Sequence, residues 1–121
     1  MATQQESKVS ADLRKELERA FPGSLWVKMH GSIYMRAGIS DNLGCVEGGF
    51  IALEVKIKGN KLRPPQTRFL LDTIEAGGVG LVYTHTPSGS LATGAYRLEQ
   101  IIQATLNGEY VPVIQHVTNE P

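Results

Sequence analysis

The sequence contains little cysteine, few aromatic residues and no long apolar run. One cysteine, Cys45, stands among 121 residues, and aromatic residues make up 7% of the chain. A lone cysteine excludes a disulfide framework within the chain and favours a reducing compartment, so we expect a cytoplasmic protein. No apolar stretch approaches the ~20 residues of a membrane helix, and no basic-then-apolar leader opens the sequence. Neither a membrane span nor a signal peptide is therefore expected.

Charge is unevenly distributed, although the formal net charge is zero. Between Val55 and Arg68 there are five cations and no acid, whereas residues 69–121 contain five acids and one cation. A basic segment of this kind can bind phosphates locally even when the whole protein is neutral. A solvated surface loop is the alternative, and charge by itself favours the loop.

Apolar periodicity predicts a first helix, because apolar residues recur at helical spacing from Val9 to Ala20. Pro22-Gly23 ends this helix, and Ser7 or Ser10 is available as its N-cap. Residues 1–8 are polar and without pattern, so we expect a disordered tail there, followed by a single domain over residues 9–121.

The remaining elements follow from alternation, turn residues and helix caps. They are strands at 25–29, 40–46, 50–58 and 79–84, a weakly extended segment at 33–39, a helix from Pro65, a loop at 86–94, a helix through 98–105 and an edge strand within 110–117. The element order α-β-β-β-α-β-α, with the edge strand after it, predicts an α/β fold in which helices flank a mixed β-sheet.

The hairpin formed by residues 40–58 carries the most informative charges. Glu54 and Lys56 alternate with aliphatic residues and therefore share one face of the second strand. If Gly48-Gly49 form the turn, Asp41 falls opposite Lys56 on that face, about 5–8 Å from Glu54. Two carboxylates this close suit a hard divalent cation such as Mg²⁺. A loop longer by one residue would move Asp41 to the other face.

The same residues resemble the PD-(D/E)XK nuclease superfamily. The ordered pattern is Gly38-Ile39-Ser40-Asp41, twelve residues, Glu54-Val55-Lys56 and then Gln66 opening a helix. The segments GISDNLGC, FIALEVK, PPQ and AGG more narrowly resemble the stand-alone VRR-NUC nucleases of phages and bacteria. The family usually has proline where this chain has Ser40. The resemblance implies a restriction-endonuclease-like core and the cytoplasm of a bacterium or of a phage-infected host cell.

The resemblance also implies roles for individual residues. Asp41 and Glu54 would bind Mg²⁺, for which Mn²⁺ substitutes, together with the backbone carbonyl of Val55. With Lys56 and Gln66 they would form the catalytic set. The alternative for Gln66 is an amide that only caps the loop at Arg63-Pro64. Glu16 matches a first-helix glutamate that reaches the metal in the family, although an ion pair with a neighbouring Arg19 or Lys15 is nearly as plausible.

We therefore expect a Mg²⁺-dependent DNA endonuclease that selects branched or junction DNA and acts as a homodimer. Two alternatives stay open from sequence: a non-catalytic nucleic-acid-binding module on the same fold, and a small protein-interaction module. The candidate DNA contacts are Lys28, Arg36, Lys58, Lys61 and Arg63. His30 and Tyr34 are candidates for stacking on an unpaired base, with solvated surface residues as the alternative.

Overall fold

The structure is a computed structural model that describes residues 2–121. Within this range the helices are α1 Gln4–Ala20, α2 Pro64–Glu75 and α3 Leu91–Leu106, and the strands are β1 Leu25–Lys28, β2 Asn42–Val46, β3 Gly49–Ile57, β4 Val79–His85 and β5 Gln115–Thr118.

The strands form one mixed sheet in the order β1-β2-β3-β4-β5. The pairs β1–β2 and β2–β3 are antiparallel, whereas β3–β4 and β4–β5 are parallel. Helix α2 is the crossover between the parallel strands β3 and β4, as expected for strands that cannot be joined by a tight turn. This confirms the predicted α/β fold with a mixed sheet. The predicted edge strand at residues 110–117 is present only as the shorter β5, Gln115–Thr118.

Helices cover both faces of the sheet. Leu13 and Leu17 of α1 and Leu98 of α3 pack with Leu53 and Val55 of β3 in the main core. Helix α2 packs on the opposite face, where Leu70 meets Ala52 and Val82. Strand β3 is thus central in the sheet and buried on both faces, so its polar side chains are withdrawn from water.

Helix α1 begins earlier than the sequence pattern indicates. Thr3 is its N-cap: the Thr3 hydroxyl accepts a hydrogen bond from the Glu6 backbone N–H at 3.1 Å, and the Glu6 carboxylate accepts one from the Thr3 N–H at 3.1 Å. The prediction of a disordered tail over residues 1–8 is therefore wrong for residues 4–8, and the cap is neither Ser7 nor Ser10. Met1 lies outside the described residues. The signal was present, since Thr-x-x-Glu is the sequence of a capping box.

The β2–β3 hairpin turns one residue earlier than predicted. Glu47 and Gly48 have φ of 49° and 81° and occupy the turn, and Val46 pairs with Gly49. Two positive φ values in a two-residue loop match the twist of the flanking strands. Every cross-strand partner is thereby shifted by two residues. A shift of two leaves each side chain on its predicted face, because side chains alternate with a period of two.

Two further segments differ from expectation. Residues 33–39 form turns instead of an extended segment. Helix α3 begins at Leu91, inside the predicted loop 86–94, because the Ser90 side chain accepts a hydrogen bond from the Thr93 N–H at 3.1 Å and caps the helix. Gly94 belongs to this helix where it crosses Tyr83, and a Cβ there would lie 2.4 Å from the tyrosine ring.

Candidate active site

Glu54 is a buried carboxylate at the centre of the sheet. Only 1% of the residue is exposed, and its Oε2 atom has no hydrogen-bond partner among the described residues. Burial, with a smaller contribution from the nearby charge of Asp41, raises the pKa of Glu54 to about 7, although the charge of Lys56 opposes the rise. An acid held in this way is in equilibrium between its charged and neutral forms near neutral pH.

Lys56 and Gln66 both contact the other oxygen of this carboxylate. The Lys56 Nζ lies 4.0 Å from Glu54 Oε1, and the Gln66 amide donates a hydrogen bond to the same atom at 3.3 Å. Lys56 is 5% exposed although it carries a flexible ammonium group. Gln66 is oriented by its own carbonyl, which accepts a hydrogen bond from the Arg63 N–H at 2.9 Å. One carboxylate oxygen therefore faces the Lys56 ammonium and accepts a hydrogen bond from Gln66, whereas the other has no partner among the described residues.

Asp41 lies opposite Glu54, not opposite Lys56 as predicted. Asn42 pairs with Leu53, so continuing the register by one residue brings Asp41 to Glu54. Residues directly opposed in an antiparallel pair share a face of the sheet. Asp41 is half-buried, and its backbone carbonyl is held by a 2.7 Å hydrogen bond from the Met29 N–H. The predicted convergence of Asp41, Glu54 and Lys56 on one face is present in the structure.

A cleft of about 280 Å³ opens beside these residues. Its walls come from the loop of residues 29–41, including Asp41, and from Arg63, Pro65 and Gln66 near the start of α2. Gly38 lets this loop approach α2: its φ is 84°, and a Cβ there would lie 2.1 Å from the Pro65 carbonyl oxygen. The close approach places Asp41 and Gln66 on the same cleft.

The free carboxylate oxygens fit a divalent cation. Within residues 2–121, no three His, Cys, Asp or Glu side chains come together as a complete ligand set. Asp41 and Glu54 supply two carboxylates, and Glu54 Oε2 is an unpaired buried oxygen that a cation would satisfy. Mg²⁺ is typically bound by one or two carboxylates, with waters and phosphate oxygens completing its coordination.

The backbone carbonyl of Val55 points to the side of β3 on which β2 and Asp41 lie. The carbonyl of Leu53 faces β2, where it accepts a hydrogen bond from the Asn42 side chain at 3.3 Å. Carbonyls two residues apart on a strand point to the same side, so that of Val55 also faces this side, beyond the start of β2. Its role as a metal ligand stays a prediction.

Glu16 is not part of this cluster. Both of its carboxylate oxygens accept hydrogen bonds from Arg19, at 2.9 and 3.0 Å. Its other neighbours are on α1 and α3, where it lines a surface depression with Ala92 and Tyr96. The alternative of an ion pair with Arg19 is therefore the arrangement found, because a flanking i+3 arginine is within immediate reach of a glutamate on a helix.

The α1 glutamate that approaches the site is Glu6, which sequence reasoning missed. It is buried, and its Oε2 accepts hydrogen bonds from the Ile57 N–H at 3.1 Å and from the Asn60 side chain at 2.8 Å. Burial alone raises the pKa of Glu6, but the bonds from Asn60, Thr3 and Ile57 and the charge of Lys56 bring it below the ordinary value. Glu6 thus ties the start of α1 to the strand end that follows Lys56.

The candidate DNA contacts differ in their exposure and in whether they are ion-paired within the protein. Lys28, Lys61 and Arg63 are exposed, and Arg63 borders the cleft. Lys58 is also exposed but pairs with Glu120 at 3.0 Å.

Arg36 is engaged within the protein. It pairs with Asp72 and lies over the Phe69 ring, 5.4 Å from its centroid. It fastens the loop to α2 and is the least available of these cations.

Comparison with known proteins bears on the fold. No helix in the described part of the chain is long and apolar enough to cross a bilayer. No protein-family model matches the sequence, and no curated protein matches it. A solved structure described as a VRR_NUC domain is similar, with a TM-score of 0.57 and 22% identity over 84% of this chain and 97% of that chain. This chain therefore has the fold of a VRR-NUC domain, as its motifs predict.

Proposed function

We propose that this protein is a metal-dependent DNA endonuclease that hydrolyses phosphodiester bonds at the Asp41–Glu54 site. The observation that carries the proposal is Glu54 Oε2, a buried carboxylate oxygen without a partner, beside a second carboxylate and a buried lysine. The likeness to a VRR_NUC domain supports it, since that name denotes a nuclease. The free thiol of Cys45 agrees with action in the cytoplasm.

Each residue has a chemical task in this proposal. Asp41, Glu54 and the Val55 carbonyl hold Mg²⁺, or Mn²⁺ in its place. A cation bound there supplies a Lewis acid for the phosphate and lowers the pKa of nearby water. Lys56 stabilises the additional negative charge on the phosphate as water attacks, and its compact ammonium suits a single phosphate oxygen. Gln66 holds Glu54 in place through its amide.

A non-catalytic binding module explains the site less well. Binding to the backbone of nucleic acid needs exposed cations, which this chain has at Lys28, Lys61 and Arg63. It gives no reason to bury Glu54 with one oxygen unpaired, which costs free energy at neutral pH because the charged form is desolvated.

Branched DNA as substrate and a homodimer as the active form are the further parts of the proposal. Leu25, Val27 and Phe50 are exposed apolar side chains on the β1–β3 face that also carries Asp41. Helix α2 packs against β3 and β4 and leaves this part of the face open. A second copy that covers it would place two sites on one DNA. Sedimentation velocity of the protein, with and without DNA, tests this part.

The test of the catalytic proposal is cleavage of linear, nicked, flapped and four-way-junction DNA in Mg²⁺, Mn²⁺ or EDTA. We expect cleavage that requires metal and that falls about 100-fold or more in Lys56→Met, which keeps the length of the buried side chain and removes its charge. DNA binding by this variant should be nearly unchanged.

Lys58→Met is the matched control, since Lys58 lies two residues further along the same face but is exposed. It should weaken DNA binding and retain cleavage at saturating DNA. Metal-dependent cleavage at the wild-type rate in Lys56→Met would contradict the assigned site. Absence of cleavage by the wild type on every DNA, with binding intact, would favour the non-catalytic module.

A further inference from the structure

The loop of residues 29–41 carries the two most exposed large apolar side chains of the described chain. Ile33 is 91% exposed and Tyr34 is 92% exposed. Both therefore make almost no contact with the rest of the protein. We refer to this pair as the Ile33–Tyr34 tip.

The tip is at the edge of the active-site cleft. Its neighbours on both sides, Ser32 and Met35, line the cleft, as does Asp41 at the end of the same loop. The two apolar side chains do not line it and extend into solvent beside it. A molecule that reached Asp41 through this opening would pass next to the tip.

The loop is fastened on both sides of the tip. The Tyr34 N–H donates to the Ser32 hydroxyl at 3.1 Å, and the Met35 N–H donates to the Ser32 carbonyl at 3.1 Å. On the other side, Arg36 pairs with Asp72 on α2, and Gly38 lies against Pro65. These contacts fix the position of the tip relative to α2. Less conformational entropy is therefore lost when the tip binds a ligand.

The charge around the tip fits a polyanion. Residues 25–40 contain Lys28, His30 and Arg36 and no acid. His30 and the exposed Arg63 line the cleft, whereas Lys28 pairs with Asn42 and so faces the α1 side of the sheet. The surface at the cleft therefore combines an arginine and an imidazole for a phosphate backbone with an aromatic and an aliphatic side chain. Proteins that bind unpaired bases combine the same two features.

We propose that the Ile33–Tyr34 tip binds an unstacked base next to the scissile phosphate, so that the site selects DNA with a gap, nick or branch. This rests on the proposed nuclease function and names its substrate class. Aromatic side chains stack on exposed bases, and apolar side chains occupy opened base steps. In continuous duplex every base is already stacked, so the tip has no base to contact without paying for unstacking.

The test measures binding, so that it does not depend on cleavage. Full-length Glu54→Gln protein is titrated with two DNAs of the same sequence, a continuous duplex and a duplex with a one-nucleotide gap. Gapped DNA should bind more tightly, and Tyr34→Ala in this background should weaken its binding about tenfold, since stacking on one base is worth about that factor or more. Affinity for continuous duplex should change less than twofold.

Two further variants separate stacking from other effects. Tyr34→Phe should keep the affinity for gapped DNA, because the ring is retained. Tyr96→Ala, which removes another exposed aromatic ring on α3, should leave both affinities unchanged.

A 5-iodouracil at the single-stranded position should photo-crosslink to Tyr34, as identified by mass spectrometry of the tryptic peptide.

Loss of affinity for both DNAs alike, no loss for either, or Tyr34→Phe behaving as Tyr34→Ala would overturn the proposal. A change of sedimentation coefficient in Tyr34→Ala without DNA would also count against it, since the tip would then contact a second copy. Failure of the wild type to cleave DNA would instead contradict the nuclease function, and the binding difference would still be measurable.

Discussion

Replacement of Glu54 by glutamine should make the metal-free protein more stable at alkaline pH. The pKa of Glu54 rises from the ordinary value of 4.5 to about 7, chiefly through burial. The folded protein therefore binds a proton more tightly than the unfolded chain. The stability of the wild type is therefore highest below about pH 4.5, falls as pH rises from there, and is lowest once pH has passed through about 7.

The size of the effect follows from the two pKa values. A tenfold change in proton affinity is worth about 1.4 kcal/mol, so a rise from 4.5 to about 7 corresponds to about 3 kcal/mol. Glutamine keeps the shape and accepts the same hydrogen bond from Gln66, but it carries no charge to desolvate. Glu54→Gln should match the wild type near pH 4 and exceed it by about 3 kcal/mol at pH 8.

Urea denaturation in EDTA at pH 4, 6 and 8 measures the difference in unfolding free energy. Titrating groups that do not interact with Glu54 contribute equally to both proteins and cancel. Glu75→Gln, at an exposed position on α2, is the control, since it makes the same chemical change outside the buried cluster. Addition of Mg²⁺ at pH 8 should stabilise the wild type and not Glu54→Gln, because the cation binds the ionised carboxylate. A Glu54→Gln protein that is less stable than the wild type at pH 8 without metal would refute the reasoning.

Three further predictions concern residues around the site. Gly38→Ala should lower the unfolding free energy by about 3 kcal/mol, because both the positive φ of Gly38 and its contact with Pro65 oppose a Cβ. Gly48→Ala, where only the positive φ opposes a Cβ, should lower it by about 1 kcal/mol. Chemical denaturation compares the two variants, and equal losses would argue against the contact between Gly38 and Pro65. Glu6→Gln should cost about 1–2 kcal/mol at pH 7, because the buried carboxylate accepts hydrogen bonds from Asn60 and Ile57. These bonds favour the charged form and lower the pKa of Glu6 in spite of its burial, so the loss should shrink as pH falls below the ordinary value of 4.5. A pH-independent loss would argue against this. Ser40→Ala should leave the unfolding free energy unchanged or raise it by about 1 kcal/mol, because the buried Ser40 hydroxyl has no hydrogen-bond partner among the described residues. A marked drop in the melting temperature of Ser40→Ala would contradict this, since the hydroxyl would then have to make a hydrogen bond.

The fold was largely predictable because its signals are local. Alternation along residues 50–57 identified the central strand, and Gly77-Gly78 marked the end of α2. The shared face of Asp41 and Glu54 was also predictable, although the turn was placed one residue late. Side chains alternate between the two faces of a sheet with a period of two residues, so an error of two residues in the register leaves each side chain on its predicted face. The prediction that Asp41 lies directly opposite Lys56 was wrong, because the direct partner depends on the exact register.

The parts that were not predictable depend on contacts between distant residues. Glu6 reaches Ile57 and Asn60 across more than fifty positions, and a polar N-terminal sequence does not reveal that contact. The turns at residues 33–39 are held through Arg36 and its contacts with α2, which local propensity does not indicate. Glu6 lies outside the helix that the apolar pattern predicts from Val9, so the pattern offers Glu16 and not Glu6 as the first-helix glutamate.

The most direct measurement of the central claim is the rate of DNA cleavage by wild type, Glu54→Gln and Glu75→Gln in saturating Mn²⁺ on one gapped substrate. The two variants make the same chemical change, one in the buried cluster and one on the surface. We expect wild-type cleavage in Glu75→Gln and loss of cleavage in Glu54→Gln with its fold and its DNA affinity intact. Equal cleavage by all three proteins would contradict it.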